Sequence, residues 1–395
     1  MSWQHWGRGV CCWLLWAAGV GLEVRADDLG HPWPATTSVA TAGFLGTHLA
    51  TLPDGDRYRN QQNTFSPDGE LLAVLGSDGH IRVWNWRRKQ LLQTLLRDSR
   101  NNIGDPDQTL AFSPDGRWLA YCHPSAKDGR NLSVWNTHDW QLQPTEPGGR
   151  GDCTGLKFSS NGRELLVLQD APSRTSDGSR LSVYRSADWQ VDWQWGLSDR
   201  FFGRQMALSP DGKTLAIAGE RYPDLPINWS WPEKHRYQLH FLSLVTRQVL
   251  FSIEPMLEMR RGRMVWRPDG QVLAMFGSLY PLGREPSGPI NSDGLHLYAF
   301  PAGELIHRDN WSNANRAFVS VRYSPDGKYL LLSDGLSRNG YYGQGLRILD
   351  AHSLAVLQEI PGNVTAINFS ADGRYLSLAD RDEIRIHAFT PPLAQ

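Results

Sequence analysis

One short motif recurs seven times along the chain and constrains its fold more than any other feature. It reads as an aromatic or apolar residue, then Ser-Pro-Asp-Gly, then an apolar run. The first copies are Phe65-Ser66-Pro67-Asp68-Gly69 and Phe112-Ser113-Pro114-Asp115-Gly116. Variants follow as Phe158-Ser159-Ser160-Asn161-Gly162, Leu208-Ser209-Pro210-Asp211-Gly212 and Trp266-Arg267-Pro268-Asp269-Gly270. The last two are Tyr323-Ser324-Pro325-Asp326-Gly327 and Phe369-Ser370-Ala371-Asp372-Gly373. Proline brings a fixed φ, Asp or Asn hydrogen-bonds its own turn, and glycine takes the left-handed conformation that closes a hairpin. Each motif is therefore the tip between two antiparallel strands.

The residues after each tip complete a repeating unit. Leu71–Leu75, Trp118–Cys122, Leu215–Ala218 and Val272–Phe276 are near-continuous apolar runs, the pattern of strands buried on both faces. A third strand alternates, as in Ile81-Arg82-Val83-Trp84 and Leu132-Ser133-Val134-Trp135, with Ser182, His240, His296, Arg347 and Arg385 in the same polar column. A fourth follows, as at Gln90–Leu95 and Gln248–Ile253. With a period of roughly fifty residues, this predicts an all-β fold, a seven-bladed β-propeller of four-stranded antiparallel blades. The seventh unit has no fourth strand of its own, so Gly46–Leu52 is expected to supply one, closing the ring with an N-terminal strand and removing exposed sheet edges.

These units resemble the WD40 repeat and the related TolB-like periplasmic repeat over roughly residues 45 to 390. The residues closest to the WD40 form are Ser77-Asp78-Gly79-His80-Ile81-Arg82-Val83-Trp84-Asn85. Trp-Asn replaces Trp-Asp there and at Trp135-Asn136, and the Gly-His dipeptide is missing from its usual place before the inner strand. The resemblance implies the propeller architecture. The separate N-terminal α/β domain of TolB would not fit in the stretch before Phe65.

The N-terminus bears on compartment. Arg8 precedes an apolar run from Val10 to Leu22, and Val24-Arg25-Ala26 places small residues where a signal peptidase needs them. The run is shorter than the roughly 20 residues of a spanning helix. Residues 1–26 therefore read as a signal peptide cleaved after Ala26, 27–45 as a linker, 46–390 as the propeller and 391–395 as a tail. A periplasmic or secreted protein with no integral membrane segment in the mature chain is expected. The formal net charge of −1 gives no field to attract nucleic acid. Cys122 and Cys153 remain after cleavage; a disulfide and two buried thiols are both open.

No catalytic motif is present: no Gly-x-Ser-x-Gly elbow, phosphate-binding glycine loop or His-Glu-x-x-His pair. The motif aspartates are explained by turn chemistry, and His240 and His296 by a column that tolerates polar side chains. Neither catalytic residues, nor a metal, nor a cofactor is expected. Inner strands offer Gln108, Lys157, Arg204, Arg263 and Arg322 to a central channel, the basis for an alternative reading as a hydrolase- or lactonase-like propeller enzyme.

Loop length points elsewhere. The connection from second to third strand is tight at Ser77–His80 and long in blades three to six, at Gln169–Arg180, Glu220–Tyr237, Ser278–Gly294 and Ser333–Gly345. These loops carry Tyr222, Trp229, Trp231, Tyr280, Arg284, Tyr341 and Tyr342, of the residue types that dominate binding hot spots. The expected function is a noncatalytic scaffold or recognition module that binds a protein or peptide of the cell envelope on its long-loop face.

Overall fold

The computed structural model describes residues 43–53, 60–76, 78–95, 109–122, 131–147, 151–170, 178–197, 200–221, 236–254, 257–279, 293–311, 317–335, 345–362, 364–380 and 383–392. Its elements are β-strands. The first, β1 (Leu45–Pro53), belongs to the last sheet. Blade one is β2 (Asn60–Phe65), β3 (Leu71–Gly76), β4 (Ile81–Asn85) and β5 (Gln90–Leu95). Blade two is β6 (Leu110–Phe112), β7 (Trp118–Cys122) and β8 (Leu132–Asn136). Blade three is β9 (Cys153–Phe158), β10 (Glu164–Gln169), β11 (Arg180–Arg185) and β12 (Val191–Gly196). Blade four is β13 (Phe201–Leu208), β14 (Thr214–Arg221), β15 (Arg236–Ser243) and β16 (Gln248–Ile253). Blade five is β17 (Leu257–Trp266), β18 (Val272–Leu279), β19 (Asp293–Ala299) and β20 (Glu304–Trp311). Blade six is β21 (Ala317–Tyr323), β22 (Tyr329–Gly335), β23 (Gly345–Asp350) and β24 (Val356–Ile360). Blade seven is β25 (Ala366–Phe369), β26 (Tyr375–Ala379) and β27 (Glu383–Phe389), with β1 as its outer strand.

The seven-bladed ring expected from the motif is what the chain forms. Inner strands β2, β6, β9, β13, β17, β21 and β25 touch in that order, and β25 returns to β2. The strand expected near Gly46–Leu52 pairs antiparallel with β27, with Leu52 opposite Ile384 and Ala50 opposite Ile386. Ala50 and Leu52 are buried with Leu72, Val74 and Trp86 of blade one. The core thus lies between blades, where each second strand buries both faces.

Local chemistry explains the turns. In blade one Ser66 Oγ donates to Asp68 Oδ1 at 2.5 Å, and that oxygen also accepts from Glu70 N at 3.0 Å. Leu71 N donates back to Ser66 Oγ at 2.9 Å, and Gly69 sits at φ 72°. Blades two, three, four, six and seven repeat this set of bonds. Proline has a second role that the sequence reading missed. A Cβ on Gly327 would meet Pro268 Cδ of the preceding blade at 3.4 Å, and Gly373 stands in the same relation to Pro325. Each turn rests on the one before it, so turn shape and blade spacing are coupled.

Blade two departs from the four-stranded expectation. Its fourth strand is reduced to one bridge, Trp135 to Leu142. Pro144 and Pro147 explain this, since proline donates nothing to a ladder. The chain crosses instead to blade three, where Glu146 N donates to Trp189 O and Glu146 Oε2 accepts from Val191 N at 2.7 Å.

Candidate functional site

An antiparallel meander divides the propeller ends. The motif turns and the third-to-fourth-strand turns share one face, and the second-to-third-strand connections share the other with the crossings between blades. On this loop face β10 and β11 pair up to Gln169–Arg180, β14 and β15 to Arg221–Arg236, β18 and β19 to Ser278–Asp293, and β22 and β23 to Asp334–Gly345. Each long loop therefore hangs from a hydrogen-bonded strand pair. Blade two joins them, because its connection spans 123–131 and matches that of blade six in length. The expected binding residues Tyr222, Trp229, Trp231, Tyr280, Arg284, Tyr341 and Tyr342 lie outside the described residues, as does Gln108.

At the loop-face strand ends of blades three and four lies a charged knot that the sequence reading only half found. Arg204, on the bulged inner strand β13, places Nη1 2.7 Å from Asp170 Oδ2 and Nη2 3.8 Å from Glu220 Oε2. Glu220 is fully buried. Ser179 Oγ donates to Asp170 Oδ1 at 2.7 Å and accepts from Gly203 N at 2.7 Å. Burial pushes the Asp170 carboxyl above its usual range, Arg204 and Ser179 pull it down, and the Asp152 and Glu220 charges add to the rise. The knot joins blade three to blade four, the first use of buried charge in this structure being to hold a seam.

The polar column of the third strands is filled blade by blade. Arg82 pairs with Asp78 at 2.6 Å, and Arg347 with Glu359 at 2.8 Å. Ser182 donates to Gln169 Oε1, and Gln169 Nε2 donates to Asn131 Oδ1 of blade two. His240 Nδ1 meets Ser252 Oγ at 2.6 Å, and His296 Nδ1 meets the Tyr298 hydroxyl at 3.3 Å. Burial, then the nearby Arg221 charge, lowers His240 to about 4; burial, then Arg308 and His307, does the same for His296. The two histidines lie in different blades, on β15 and β19. Among the described residues no group of three His, Cys, Asp or Glu could hold a metal. Lys157, Arg263 and Arg322 sit on inner strands, with Arg263 buried and Arg322 Nη1 donating to Val321 O at 2.8 Å.

Cys122 ends β7 and Cys153 begins β9, and a disulfide joins them with their Cα atoms 5.8 Å apart. The staple ties the second strand of blade two to the innermost strand of blade three. Aromatic latches reinforce the same seam: Trp189, at φ 56° in the third-to-fourth-strand turn, meets Trp118 of blade two edge-on at 5.1 Å. Arg247 occupies the equivalent place one blade on, over the Trp193 ring at 4.8 Å. A residue reaching back from this turn was not read from the sequence, though the recurrence of bulky residues there was a usable signal.

Comparison with known proteins agrees with this geometry. The family model for WD40 (WD domain, G-beta repeat) matches residues 62–85, from β2 through β4. Tricorn protease homolog 1 of Streptomyces coelicolor is 32% identical over 161 residues, 40% of this chain and 13% of that protein. SEC12-like protein 1 of Arabidopsis thaliana is 30% identical over 159 residues, 40% of this chain and 36% of that protein. The small ribosomal subunit protein RACK1 of Caenorhabditis elegans is 24% identical over 39% of this chain and 42% of its own length. The chain thus spans less than half the length of these curated relatives. Hydrazine synthase of Kuenenia stuttgartiensis superposes with a TM-score of 0.60 at 18% identity, covering 87% of this chain and 98% of that one, a likeness of fold.

Proposed function

We propose that this chain is an exported, noncatalytic recognition scaffold that holds a protein or peptide of the cell envelope on its loop face. The observation that carries the reading is the hanging of long, non-repeating loops from rigid, paired strand ends on one face of the ring. Binding residues concentrate on loops that a stiff scaffold positions. Trp229, Trp231 and Arg284 supply hot-spot side chains there. A periplasmic or secreted location is supported by residues 1–26 and by the Cys122–Cys153 disulfide, which persists in an oxidising compartment.

The test is affinity capture from native envelope extract with the protein and with a variant in which Trp229, Trp231 and Arg284 are alanine, both checked by thermal melt. Loss of a specific partner with an unchanged melt supports the reading. Equal capture by both proteins contradicts it.

A second reading, hydrolase- or lactonase-like chemistry at the channel mouth, has one observation in its favour: a carboxyl with a raised pKa, Asp170, beside Ser179 and Arg204. Turnover of ester or lactone substrates that Asp170→Asn abolishes would establish it. Absence of turnover leaves the knot as a seam lock.

A further inference from the structure

The turn face carries a feature that the loop-face reading leaves unused. A cleft of about 710 Å³ opens there beside the motif turns of blades five and six, edged by Pro391 and Pro392 just beyond β27. That is the size of a site for a small ligand or a few peptide side chains.

The motif aspartates in and around this cleft differ in how their charge is used. Asp269 is held by Arg267, with Nε and Nη2 each 2.8 Å from Oδ2. Arg117 does the same for Asp115 in blade two, and Arg374 for Asp372 in blade seven, each through Nε at 2.6 Å. Blade six, like blades one and four with Glu70 and Lys213 after their glycines, has no such arginine. Ser324 stands where blade five has Arg267, and the residue after the glycine is Lys328, whose exposed Nζ is 3.9 Å from Asp326 Oδ2. Ser324 Oγ and Lys328 N both donate to Asp326 Oδ1, so Oδ2 lacks the guanidinium its counterparts hold.

A second carboxylate faces the same space. Asp350 Oδ1 accepts from His352 N, Ser353 N and Ser353 Oγ, while Oδ2 accepts no hydrogen bond among the described residues. The backbone bond from Ser353 outweighs burial and holds the Asp350 carboxyl below its usual range, so it stays charged. Tyr329 stands within electrostatic reach of both carboxylates; burial first, then Asp326 and Asp350, pushes its phenol up and keeps it neutral. Its ring is fixed edge-on against Phe44 at 4.9 Å and Phe389 at 5.9 Å.

We propose that this cleft docks an arginine side chain carried by an extended segment of a partner protein, its guanidinium shared by Asp326 Oδ2 and Asp350 Oδ2 against Tyr329. A planar cation with several donors suits two carboxylates and an aromatic ring better than an ammonium does. Three motif aspartates of the molecule itself hold guanidinium groups in this way, whereas Asp326, which shares the cleft with Asp350 and Tyr329, faces only the exposed Lys328 ammonium at 3.9 Å. The site is independent of the loop face, and either can fail without the other.

The experiment is fluorescence polarisation with a fluorescein-labelled hexapeptide containing two arginines, beside lysine and citrulline counterparts. Each is titrated with the purified protein and with Asp326→Asn, Asp350→Asn and the double variant. Asparagine keeps the turn bonds at Oδ1, and a thermal melt verifies the fold. Saturable binding of the arginine peptide is expected, weaker with lysine and absent with citrulline. Each single variant is expected to weaken it about three- to tenfold and the double variant to abolish it. No saturation with the arginine peptide, equal binding of the citrulline peptide, or unchanged affinity in the double variant overturns the proposal. Tighter binding in the double variant does so as well.

Discussion

The two faces of this ring are built on opposite principles. On the turn face six of the seven similar tips repeat one set of bonds, and each glycine rests on the tip before it. On the loop face the connections share no common sequence, and among the described residues seams are closed by the Asp170–Arg204–Glu220 knot and the Cys122–Cys153 staple. Repetition tolerates little change because each turn fixes its neighbour's position. Variety is tolerated where strand pairs end, and that is where a binding surface can diverge without cost to the ring.

The sharpest way to probe the difference is to remove a loop-face device. Replacing both Cys122 and Cys153 with serine is expected to cost about 2–4 kcal/mol in urea unfolding, because it removes the cross-link between blades two and three. On the turn face, Gly373→Val forces a β-branched residue into φ 72° against Pro325, for a loss of about 1–3 kcal/mol. A loss near zero would mean that the tips are not coupled.

Between the faces, the third-strand histidines set a pH dependence. His240 and His296 titrate near 4 in the folded protein and near 6.5 when unfolded, so between these values the unfolded chain binds more protons. Stability from this source is lost as pH falls from 6.5 to 4. The stability difference between the protein and His240→Phe/His296→Phe is expected to change with pH only within that window. Below it, the lowered carboxyls of turn aspartates such as Asp211 and Asp372 take over. The smallest expected effect is a gain: Ala371→Pro restores the motif proline in blade seven and should stabilise by about 0.4–1 kcal/mol, measurable as a higher melting temperature.

The fold was legible because its repeating signals are local. A proline, an aspartate and a glycine in sequence dictate a turn, and the turn dictates two strands. Ring closure by β1 was legible for the same reason, since β27 lacked a partner in its own repeat. Blade two departs from the four-stranded pattern where Pro144 and Pro147 interrupt the short, mostly polar stretch after Leu142. Contacts between blades, such as Pro268 against Gly327, had no local signature because their partners are a whole repeat apart. The site was legible only as composition. Trp229, Trp231 and Arg284 sit in sequence that repeats nowhere, so no period places them relative to one another.

The central claim is that binding resides in loops that the ring does not need. Its most direct test replaces residues 222–235, between Arg221 and Arg236, with the short Ser77–His80 turn of blade one and measures partner capture beside thermal stability. The account predicts that capture is lost while the melting temperature stays within a degree or two of the parent. Undiminished capture, or a ring that no longer folds, would contradict it.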